Sequence, residues 1–242
     1  MTAIGIIGSE GRMGQALATA IQEAGQSVSG GIDKGGDVDA LVKTSDAMVD
    51  FSAPGALEAN LDACIKYSRP ILIGTTGLEE RHHYLIDDAA RDIAVIQTGN
   101  TSLGVNMLAA LVREAARRLG DEWDIEIVEM HHRHKVDAPS GTALLLGEAA
   151  ASGRDIELAT NSERGRDGYT GVRGRGTIGF ASLRGGSVAG DHQVIFAADN
   201  ERIELGHRAE NRMIFARGAI RGALWLLGQQ PGRYTMSDVL GL

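Results

Sequence analysis

The sequence predicts an α/β fold with two parts, a doubly wound parallel sheet at the front of the chain and a separate α+β sheet behind it. In the first hundred residues, short apolar runs alternate with amphipathic helical patterns, and this alternation is typical of crossover units in a parallel sheet. From residue 177 onward, alternating segments follow one another with turn residues between them, which favours antiparallel strands.

The front part is predicted to be a regular succession of strands and helices. The strands are residues 3–7, 28–32, 47–51, 70–73 and 93–96, and the helices are residues 13–24, 55–66, 79–91 and 102–119. Apolar side chains recur along one stripe of the last helix, at Leu103, Met107, Leu111, Ala115 and Leu119. This stripe predicts that one face of the helix is buried.

The rear part begins with a predicted strand at residues 123–132 and a helix at residues 142–151. Residues 152–175 are rich in Gly and Arg and are predicted to form a mobile surface loop. The strands that follow are residues 177–183, 192–197 and 202–206, with turns expected at Gly185-Gly186 and Asp199-Asn200. A helix over residues 213–227 comes last and could return to the first part.

Charge and composition argue against several classes of protein. The net charge is −8 over 242 residues, which is unfavourable for general binding to a nucleic-acid backbone. The single cysteine, Cys64, is predicted to be a core residue and cannot form an intrachain disulfide, as suits a reducing cytosol. The N-terminus lacks a secretion-signal pattern, and no apolar run approaches the length of a membrane span. We therefore expect a soluble cytoplasmic protein with no nucleic-acid or membrane partner.

A glycine loop (residues 8–14) follows the first strand and opens the first helix. A dinucleotide-binding fold needs glycines here, because the backbone turns tightly and approaches the pyrophosphate closely. The spacing is G-x-x-G-x-x-G rather than the commoner G-x-G-x-x-G, so a tight turn without a ligand is the alternative. Glu10 is an unusual neighbour for a pyrophosphate and is expected to point to solvent.

Asp33 supports the dinucleotide interpretation. It ends the second predicted strand, nineteen residues after Gly14, close to the spacing at which an acidic residue binds ribose hydroxyls. A carboxylate there favours NADH because it would repel the 2′-phosphate of NADPH, although the neighbouring Lys34 could soften this preference. The alternative is that Asp33 is a turn residue before Gly35-Gly36.

Two further loops follow strands at the sheet edge where α/β folds bind ligands. They are Gly74-Thr75-Thr76-Gly77 and Thr98-Gly99-Asn100-Thr101-Ser102. Their small residues could face the nicotinamide and its ribose, but a β-turn explains the first loop equally well. Ser102 could also simply cap the helix that follows.

Residues 129–142 carry the strongest functional signal, because three histidines and a lysine precede a Pro-Ser-Gly-Thr loop that opens a helix. In a catalytic interpretation, His131 exchanges a proton and Lys135 donates one. His132 and the helix start at Gly141-Thr142 would bind carboxylates, since helix N-termini attract anions. Glu129 shares a face of the predicted strand with His131 and could orient its ring.

Two alternatives remain open for this segment. A zinc site would have acceptable ligands in His131, His132, His134 and Asp137. However, three His within four residues do not match the usual zinc spacing, and Arg133 and Lys135 would oppose a cation. A solvated basic loop before a capped helix is the other alternative, and it fits Arg133 and His134 better than His131 and Lys135.

The remaining histidines are less informative. His82 and His83 lie in a helical pattern and are predicted to be surface or partly buried side chains. Asp191-His192 and His207-Arg208 lie on predicted strands. Either of these pairs could line a site.

Together these motifs resemble those of dihydrodipicolinate reductase, the reductase of bacterial and plant lysine biosynthesis. The resemblance runs nearly end to end, and its most specific part is His-His-x-x-Lys-x-Asp-x-Pro-Ser-Gly-Thr, which begins at His131. The other matching segments are residues 8–14, 74–77, 100–106, 176–180, 190–192 and 212–216.

The resemblance implies an α/β fold with a Rossmann-like dinucleotide-binding domain plus an α+β substrate and oligomerisation domain with a mixed β-sheet. Residues 1–102 and 212–242 would form the first domain, and residues 103–211 the substrate-binding and tetramerisation domain. It also implies a homotetramer, a small dicarboxylate substrate, no metal, and NADH or NADPH as the cofactor, with NADH favoured by Asp33.

Site residues follow from the same resemblance. His131 matches the acid/base histidine and Lys135 the proton-donating lysine, while His132, Gly141 and Thr142 match substrate-binding positions. The positions that match cofactor contacts are Gly8, Ser9, Glu10, Gly11, Arg12, Met13, Asp33, Gly74, Thr75, Thr76, Thr98, Gly99, Asn100 and Thr101.

The implied reaction reduces 4-hydroxy-tetrahydrodipicolinate to tetrahydrodipicolinate with loss of water. Two departures from the family pattern are a short connection at residues 152–164 and Thr101, where many relatives carry a bulkier apolar residue. A dinucleotide sensor without turnover is a different function, but it would be expected to lack His131 or Lys135. A metal-dependent hydrolase is another, and it would need metal for activity.

Overall fold

The alternating front part forms a six-stranded sheet in which every neighbouring pair of strands is parallel. In the computed structural model, which describes all 242 residues, this first unit comprises Met1–Leu103 and Arg212–Leu242. Its strands are β1 (Ala3–Ile7), β2 (Ser27–Ile32), β3 (Ala47–Asp50), β4 (Ile71–Ile73), β5 (Ala94–Gln97) and β11 (Gly232–Tyr234). They lie in the order β11-β5-β4-β3-β1-β2, which confirms the predicted doubly wound sheet.

Helices cover both faces of this sheet. They are α1 (Arg12–Glu23), α2 (Val38–Lys43), α3 (Leu57–Lys66), α4 (Glu80–Ala89), α7 (Met213–Leu226) and α8 (Met236–Leu240), with a 3₁₀ turn at Pro54–Ala56 before α3. One core layer joins α1, α7 and α8 to the sheet, and a second joins α2, α3 and α4 to its other face. Burial on both faces explains why the four central strands, β1, β3, β4 and β5, are largely apolar, unlike the edge strands β2 and β11.

The second core layer contains two buried side chains for which the sequence made predictions, Cys64 and His82. Cys64 is fully buried, as predicted, and burial raises the pKa of its thiol. His82 is also buried, more deeply than the expected surface or partly buried position. Its Nδ1 accepts a hydrogen bond of 2.8 Å from the backbone N–H of Glu79, so this imidazole caps the start of α4.

The second unit, Gly104–Asn211, has a mixed five-stranded sheet. Its elements are α5 (Leu103–Leu119), β6 (Asp124–His131), α6 (Gly141–Gly153), β7 (Ser162–Glu163), β8 (Ile178–Arg184), β9 (Asp191–Ala198) and β10 (Glu201–Arg208). The strand order is β10-β9-β6-β8-β7. None of the helices in the chain is long and apolar enough to cross a membrane.

The prediction that all the late strands are antiparallel was wrong for β8. It pairs in parallel with β6, because α6 lies between the two strands in sequence and forms the crossover that a parallel pair needs. β9 pairs with the other side of β6, so Gly185-Gly186 does not join neighbouring strands. The expected hairpin at Asp199-Asn200 is present between β9 and β10.

The predicted surface loop at residues 152–175 is mostly exposed and largely without regular structure, as expected. It contains the short strand β7, which pairs in parallel with β8. Arg166 and Arg173 both form ion pairs with Glu126 of β6, and Arg173 also binds Asp124 at 2.7 Å. Burial raises the pKa of Glu126, but hydrogen bonds from the two arginines outweigh it and leave that pKa below its ordinary value.

One face of the second sheet forms the core beneath α5 and α6. Ile125 and Ile127 of β6 alternate inward and pack with Val194 and Phe196 of β9. The same inward alternation continues along β6 to Glu129 and His131, and along β9 to His192. The apolar core therefore gives way to ionisable side chains at one end of the sheet.

Candidate active site

A hydrogen-bonded carboxylate and imidazole lie at this end of the second sheet. Glu129 and His131 occupy alternate positions of β6, so both side chains point to the same face. His131 Nδ1 lies 2.5 Å from Glu129 Oε2, and both residues are buried. The side chain expected to contact this ring is therefore hydrogen-bonded to it.

Glu129 has further donors around both of its oxygens. Arg184, the last residue of β8, donates to Oε2 at 2.9 Å, and the backbone N–H of Ser140 donates to Oε1 at 3.3 Å. Burial raises the pKa of Glu129, but hydrogen bonds from Arg184 and His131 outweigh it and hold the pKa below its ordinary value. The carboxylate is therefore charged at neutral pH.

A second imidazole, His192, packs against the first. The rings of His131 and His192 have their centroids 5.0 Å apart at an interplanar angle of 74°. His192 lies directly opposite Glu129 in the sheet register, and its Nε2 is 3.1 Å from Ser140 Oγ. Burial, followed by the neighbouring His131, lowers the pKa of His192 to about 4, so this ring is neutral at pH 7.

Ser140 fixes the beginning of α6. Its Oγ accepts a hydrogen bond of 3.2 Å from the backbone N–H of Ala143, which is the usual arrangement of a helix N-cap. Gly141 and Thr142 are the first residues of the helix, and its first turn contains no acidic side chain. The electrostatics of this turn therefore favour a bound anion.

Lys135 lies in the connection between β6 and α6. Its Nζ is 2.9 Å from Asp137 Oδ1, and a hydrogen bond from Lys135 lowers the pKa of Asp137. Arg184 donates to the backbone carbonyl of Asp137 at 2.6 Å, so the arginine that binds Glu129 also fixes this connection. The backbone N–H of His132 donates to the carbonyl of Val188 at 2.8 Å.

The five predicted catalytic and substrate-binding residues all lie between the end of β6 and the first turn of α6 in the second unit. They are His131 at the end of β6, His132 and Lys135 in the connection, and Gly141 and Thr142 at the start of α6. No group of three His, Cys, Asp or Glu side chains anywhere in the chain has an arrangement that could hold a metal ion. The geometry therefore gives no support to the zinc alternative.

Sequence reasoning missed Arg184 and Ser140 as members of this cluster. Nothing in the local pattern marks Arg184, because its approach to Glu129 depends on the parallel pairing of β6 with β8. Ser140 carried a usable signal, since a serine before a helix is a common N-cap. The role of His192 was left undecided because the sequence does not give the register of β9.

The glycine loop of the first unit has the close backbone approaches that a phosphate cradle needs. Gly8 has a φ of +87°, and a Cβ at Gly14 would lie 2.3 Å from the carbonyl oxygen of Gly8. Gly11 is the N-cap of α1, and no side chain caps this helix end. A Cβ at Gly11 would approach nothing closer than 3.4 Å. The loop therefore fits a pyrophosphate at the start of α1.

Asp33 directly follows β2 and binds the glycine loop. Its Oδ2 accepts hydrogen bonds of 2.8 Å from both Ser9 Oγ and the backbone N–H of Glu10. Glu10 itself is exposed, as expected, and Lys34 is exposed next to Asp33. The second carboxylate oxygen of Asp33 remains available for a ligand.

The other two loops of the first unit hold some of their side chains in structural contacts. Thr75 is buried, and its hydroxyl donates to Asp50, a buried carboxylate that also accepts from Ser52 and Asn60. Thr101 is buried too, and its hydroxyl donates to the carbonyl of Phe215 at 2.7 Å. The roles of these loops in cofactor binding stay predictions.

Side chains of the second loop, residues 98–102, also form hydrogen bonds within the loop itself. Thr98 Oγ1 accepts from the backbone N–H of Asn100 at 3.1 Å, and Asn100 Oδ1 accepts from the backbone N–H of Ser102 at 2.9 Å. Gly99 is exposed at the tip, while Gly74 and the exposed Thr76 flank Thr75 in the first loop. Backbone groups and Thr76 are therefore the parts of these loops most open to a ligand.

Two family models match this chain over almost its whole length. The model described as dihydrodipicolinate reductase, N-terminus, matches residues 2–101, and the one described as dihydrodipicolinate reductase, C-terminus, matches residues 104–240. A 4-hydroxy-tetrahydrodipicolinate reductase from Zymomonas mobilis is 58% identical over 99% of this chain and 97% of its own length. One from Parvibaculum lavamentivorans is 51% identical over 98% of this chain and 97% of its own length.

Solved structures with the same fold were also found. A dipicolinate-bound dihydrodipicolinate reductase from Paenisporosarcina sp. TG-14 has a TM-score of 0.77 at 21% identity and covers 98% of each chain. GenD2 from gentamicin A biosynthesis, in complex with NAD, has a TM-score of 0.60 at 12% identity and covers 99% of this chain and 90% of its own. At these identities the structures support the fold alone.

Proposed function

Because the chain belongs to the dihydrodipicolinate reductase family, we propose that it reduces 4-hydroxy-tetrahydrodipicolinate to tetrahydrodipicolinate. The electron donor is a reduced pyridine nucleotide, and the reaction serves lysine biosynthesis through the diaminopimelate pathway. Overall, a hydride and a proton enter and the ring hydroxyl leaves as water. The observation that carries this proposal is the buried Glu129–His131 pair in the same unit as the capped start of α6.

The first unit fits the pyridine nucleotide. The uncapped start of α1 and the close backbone turns at Gly8 and Gly14 suit a pyrophosphate, with Arg12 at the first helical position. The free oxygen of Asp33 would bind the ribose hydroxyls. When bound, the reduced nicotinamide supplies a hydride for ring carbon four of the substrate.

The second unit supplies groups that suit a substrate with two carboxylates. Lys135 and the first turn of α6, at Gly141 and Thr142, offer an ammonium group and a helix N-terminus. His132 adds an imidazole in the same connection. These groups would hold and orient the dianion, since positive charge and N–H donors are concentrated there.

His131 and Lys135 would perform the proton chemistry. Because His131 Nδ1 is engaged by Glu129, protons would pass through its Nε2. The ammonium group of Lys135 would stabilise the negative charge that develops on the substrate and deliver a proton to it. Their combined effect is acid catalysis next to a bound dianion.

Two finer points complete the proposal. NADH is the preferred cofactor, because the charge of Asp33 would repel the 2′-phosphate of NADPH. The protein acts in the cytoplasm as a homotetramer assembled through its second unit. Sedimentation of the purified protein tests the oligomer, and a mass of one or two chains would contradict it.

An absorbance assay tests the proposed function. Purified protein is mixed with enzymatically generated 4-hydroxy-tetrahydrodipicolinate, and oxidation of NADH or NADPH is followed in separate reactions. We expect substrate-dependent oxidation that persists in the presence of a chelator. No oxidation with either nucleotide would contradict the reductase, and activity lost to the chelator and restored by metal would favour a metal-dependent enzyme.

A further inference from the structure

We propose that Glu129 is a positioning residue that fixes the tautomer of His131 and links this imidazole to the first turn of α6. The inference rests on the proposed function, because it assigns His131 to proton transfer and α6 to substrate binding. It goes further by assigning to one side chain, Glu129, the relative positions of the His131 imidazole and the first turn of α6.

The tautomer of His131 follows from the chemistry of its partner. An ionised carboxylate is only an acceptor, so the nitrogen that lies 2.5 Å from Glu129 Oε2 carries the proton. The neutral ring is therefore the Nδ1–H form, whereas the Nε2–H form predominates for histidine in water. This assignment leaves the Nε2 lone pair of His131 free to exchange a proton with substrate.

The surroundings of His131 Nε2 are consistent with this role. A Cβ at residue 190 would lie 3.0 Å from that nitrogen, closer than an ordinary van der Waals contact. The glycine at this position therefore leaves room next to Nε2. No hydrogen bond within the protein engages His131 through this nitrogen, in contrast to Nδ1.

The other oxygen of Glu129 connects the imidazole to the helix. Oε1 accepts from the backbone N–H of Ser140 at 3.3 Å, and Ser140 Oγ in turn caps α6 through Ala143. The same hydroxyl also contacts His192 Nε2 at 3.1 Å, so a second buried side chain holds Ser140 in place. One carboxylate thus holds both the ring of His131 and the residue before Gly141.

Arg184 offsets the energetic cost of burying the charged carboxylate of Glu129. It donates to Glu129 Oε2 at 2.9 Å and, through its other terminal nitrogen, to the carbonyl of Asp137 at 2.6 Å. Without this charge, an ionised carboxylate at 1% exposure would be costly. Arg184 therefore stabilises the charged form of Glu129 and also restrains the connection that carries Lys135.

The alternative is that Glu129 only satisfies buried donors and has no part in turnover. The two roles differ in what a substitution changes. A purely structural carboxylate would alter the free energy of unfolding but leave kcat, the substrate KM and the His131 tautomer unchanged in the folded fraction. A positioning carboxylate would alter all three, while the KM for NADH stays the same.

Two substitutions separate these outcomes. Glu129→Met removes both acceptors at similar length, and Glu129→Gln keeps the shape and one acceptor as a variant more certain to fold. Glu126→Gln is the matched control. Glu126 also lies on β6 and also binds arginines, Arg166 and Arg173, but it is outside the cluster around His131. All proteins are prepared as the full chain, and folding is checked by circular dichroism.

Kinetics provide the first measurement. The carboxylate partners of metal-bound histidines typically contribute about tenfold to a hundredfold to activity, and we expect a similar effect for this carboxylate–histidine pair. The kcat should therefore fall about a hundredfold in Glu129→Met and about tenfold in Glu129→Gln. The substrate KM should rise several-fold in both variants, with the NADH KM within about twofold of the parent. Glu126→Gln should match the parent in all three constants. Parental kcat and substrate KM in folded Glu129→Gln would overturn the proposal.

Nitrogen NMR of protein labelled at histidine provides the second measurement and needs no turnover. The His131 signals, assigned by their loss in His131→Gln, should show the Nδ1–H form in the parent and a shift towards Nε2–H in Glu129→Met. A parent in the Nε2–H form would overturn the proposal even if the reductase activity is present. A protein without reductase activity but with the expected tautomer would instead contradict the proposed function.

Discussion

Ser9 Oγ donates to Asp33 Oδ2 at 2.8 Å, and the same oxygen accepts the backbone N–H of Glu10 at 2.8 Å. The carboxylate expected to bind the ribose therefore also holds the glycine loop. Substitution of Asp33 would change two things at once, the charge that faces the ribose and the position of the backbone that faces the pyrophosphate. A test of cofactor preference has to separate these effects.

Asp33→Asn separates the effect of the charge from the effect on the glycine loop. The amide oxygen of asparagine can still accept from Ser9 and Glu10, but the negative charge is gone. We expect the ratio of kcat/KM for NADPH over NADH to rise about tenfold, while kcat/KM for NADH falls less than in Asp33→Ala. Steady-state assays with both nucleotides measure this. An unchanged ratio in Asp33→Asn and Asp33→Ala would show that another residue determines the preference.

A pair of glycine substitutions tests the pyrophosphate position. In Gly14→Ala the new Cβ would lie 2.3 Å from the carbonyl of Gly8, so we expect the thermal midpoint of unfolding to fall. In Gly11→Ala the nearest protein atom is 3.4 Å away, so the fold should tolerate it. Its methyl group would instead occupy the space in front of α1.

Titration of NADH against both variants completes this experiment. We expect Gly11→Ala to keep the parental midpoint and to bind NADH at least tenfold more weakly, since backbone approach to the pyrophosphate is blocked. The parent without nucleotide is the reference for stability. If Gly11→Ala binds NADH as the parent does, the pyrophosphate does not lie at the start of α1.

The fold was predictable where local pattern determines structure. The central strands and the amphipathic helix α1 follow directly from apolar periodicity. For α5 the pattern predicted the helix but the wrong face: Met107 and Leu111 of the predicted stripe are exposed. The buried residues of α5 are instead Val105, Leu108, Val112 and Ala116. Short elements do not: α2 and α8 are too short for a periodic signal, and β11 has only three residues. The parallel pairing of β8 was missed because alternation along a strand does not identify its neighbour.

The candidate site was predictable to a similar extent. Its chain-local part, from His131 to Thr142, could be recognised because all its chemistry lies within one continuous segment. Arg184 could not, since its contact with Glu129 spans 55 positions in sequence and depends on strand pairing. The internal roles of Thr75 and Thr101 were also invisible, because they depend on buried partners elsewhere in the chain.

His131→Gln tests the proposed acid/base residue. Glutamine has a similar polar shape but cannot exchange a proton near neutral pH, so we expect kcat to fall by about a hundredfold to ten-thousandfold. Binding of NADH, measured by fluorescence titration, should remain within about twofold of the parent. His134→Gln serves as the control because His134 is an exposed neighbour in the same connection. Parental turnover in His131→Gln would disprove the assigned role.

The depressed pKa of His192 predicts how stability depends on pH. Burial and the nearby His131 lower this pKa to about 4, whereas the unfolded chain has the ordinary value of about 6.5. Between these values the unfolded state binds a proton that the folded state does not, so the free energy of unfolding decreases as the pH falls from 6.5 towards 4. Glu129, whose pKa is lowered from an ordinary acidic value, keeps its stabilising contribution above pH 5.

Equilibrium urea unfolding at pH 7 and pH 5, at one protein concentration, measures this effect. We expect the parent to lose about 2 kcal/mol between the two pH values through His192. His192→Gln can still contact Ser140 but does not titrate, so its loss should be smaller by most of that amount. Some loss should persist, because burial lowers the pKa of His207 as well. Equal losses in the parent and His192→Gln would show that this imidazole is not kept neutral by the fold, since a ring that ionised freely in both states would leave no difference in proton binding.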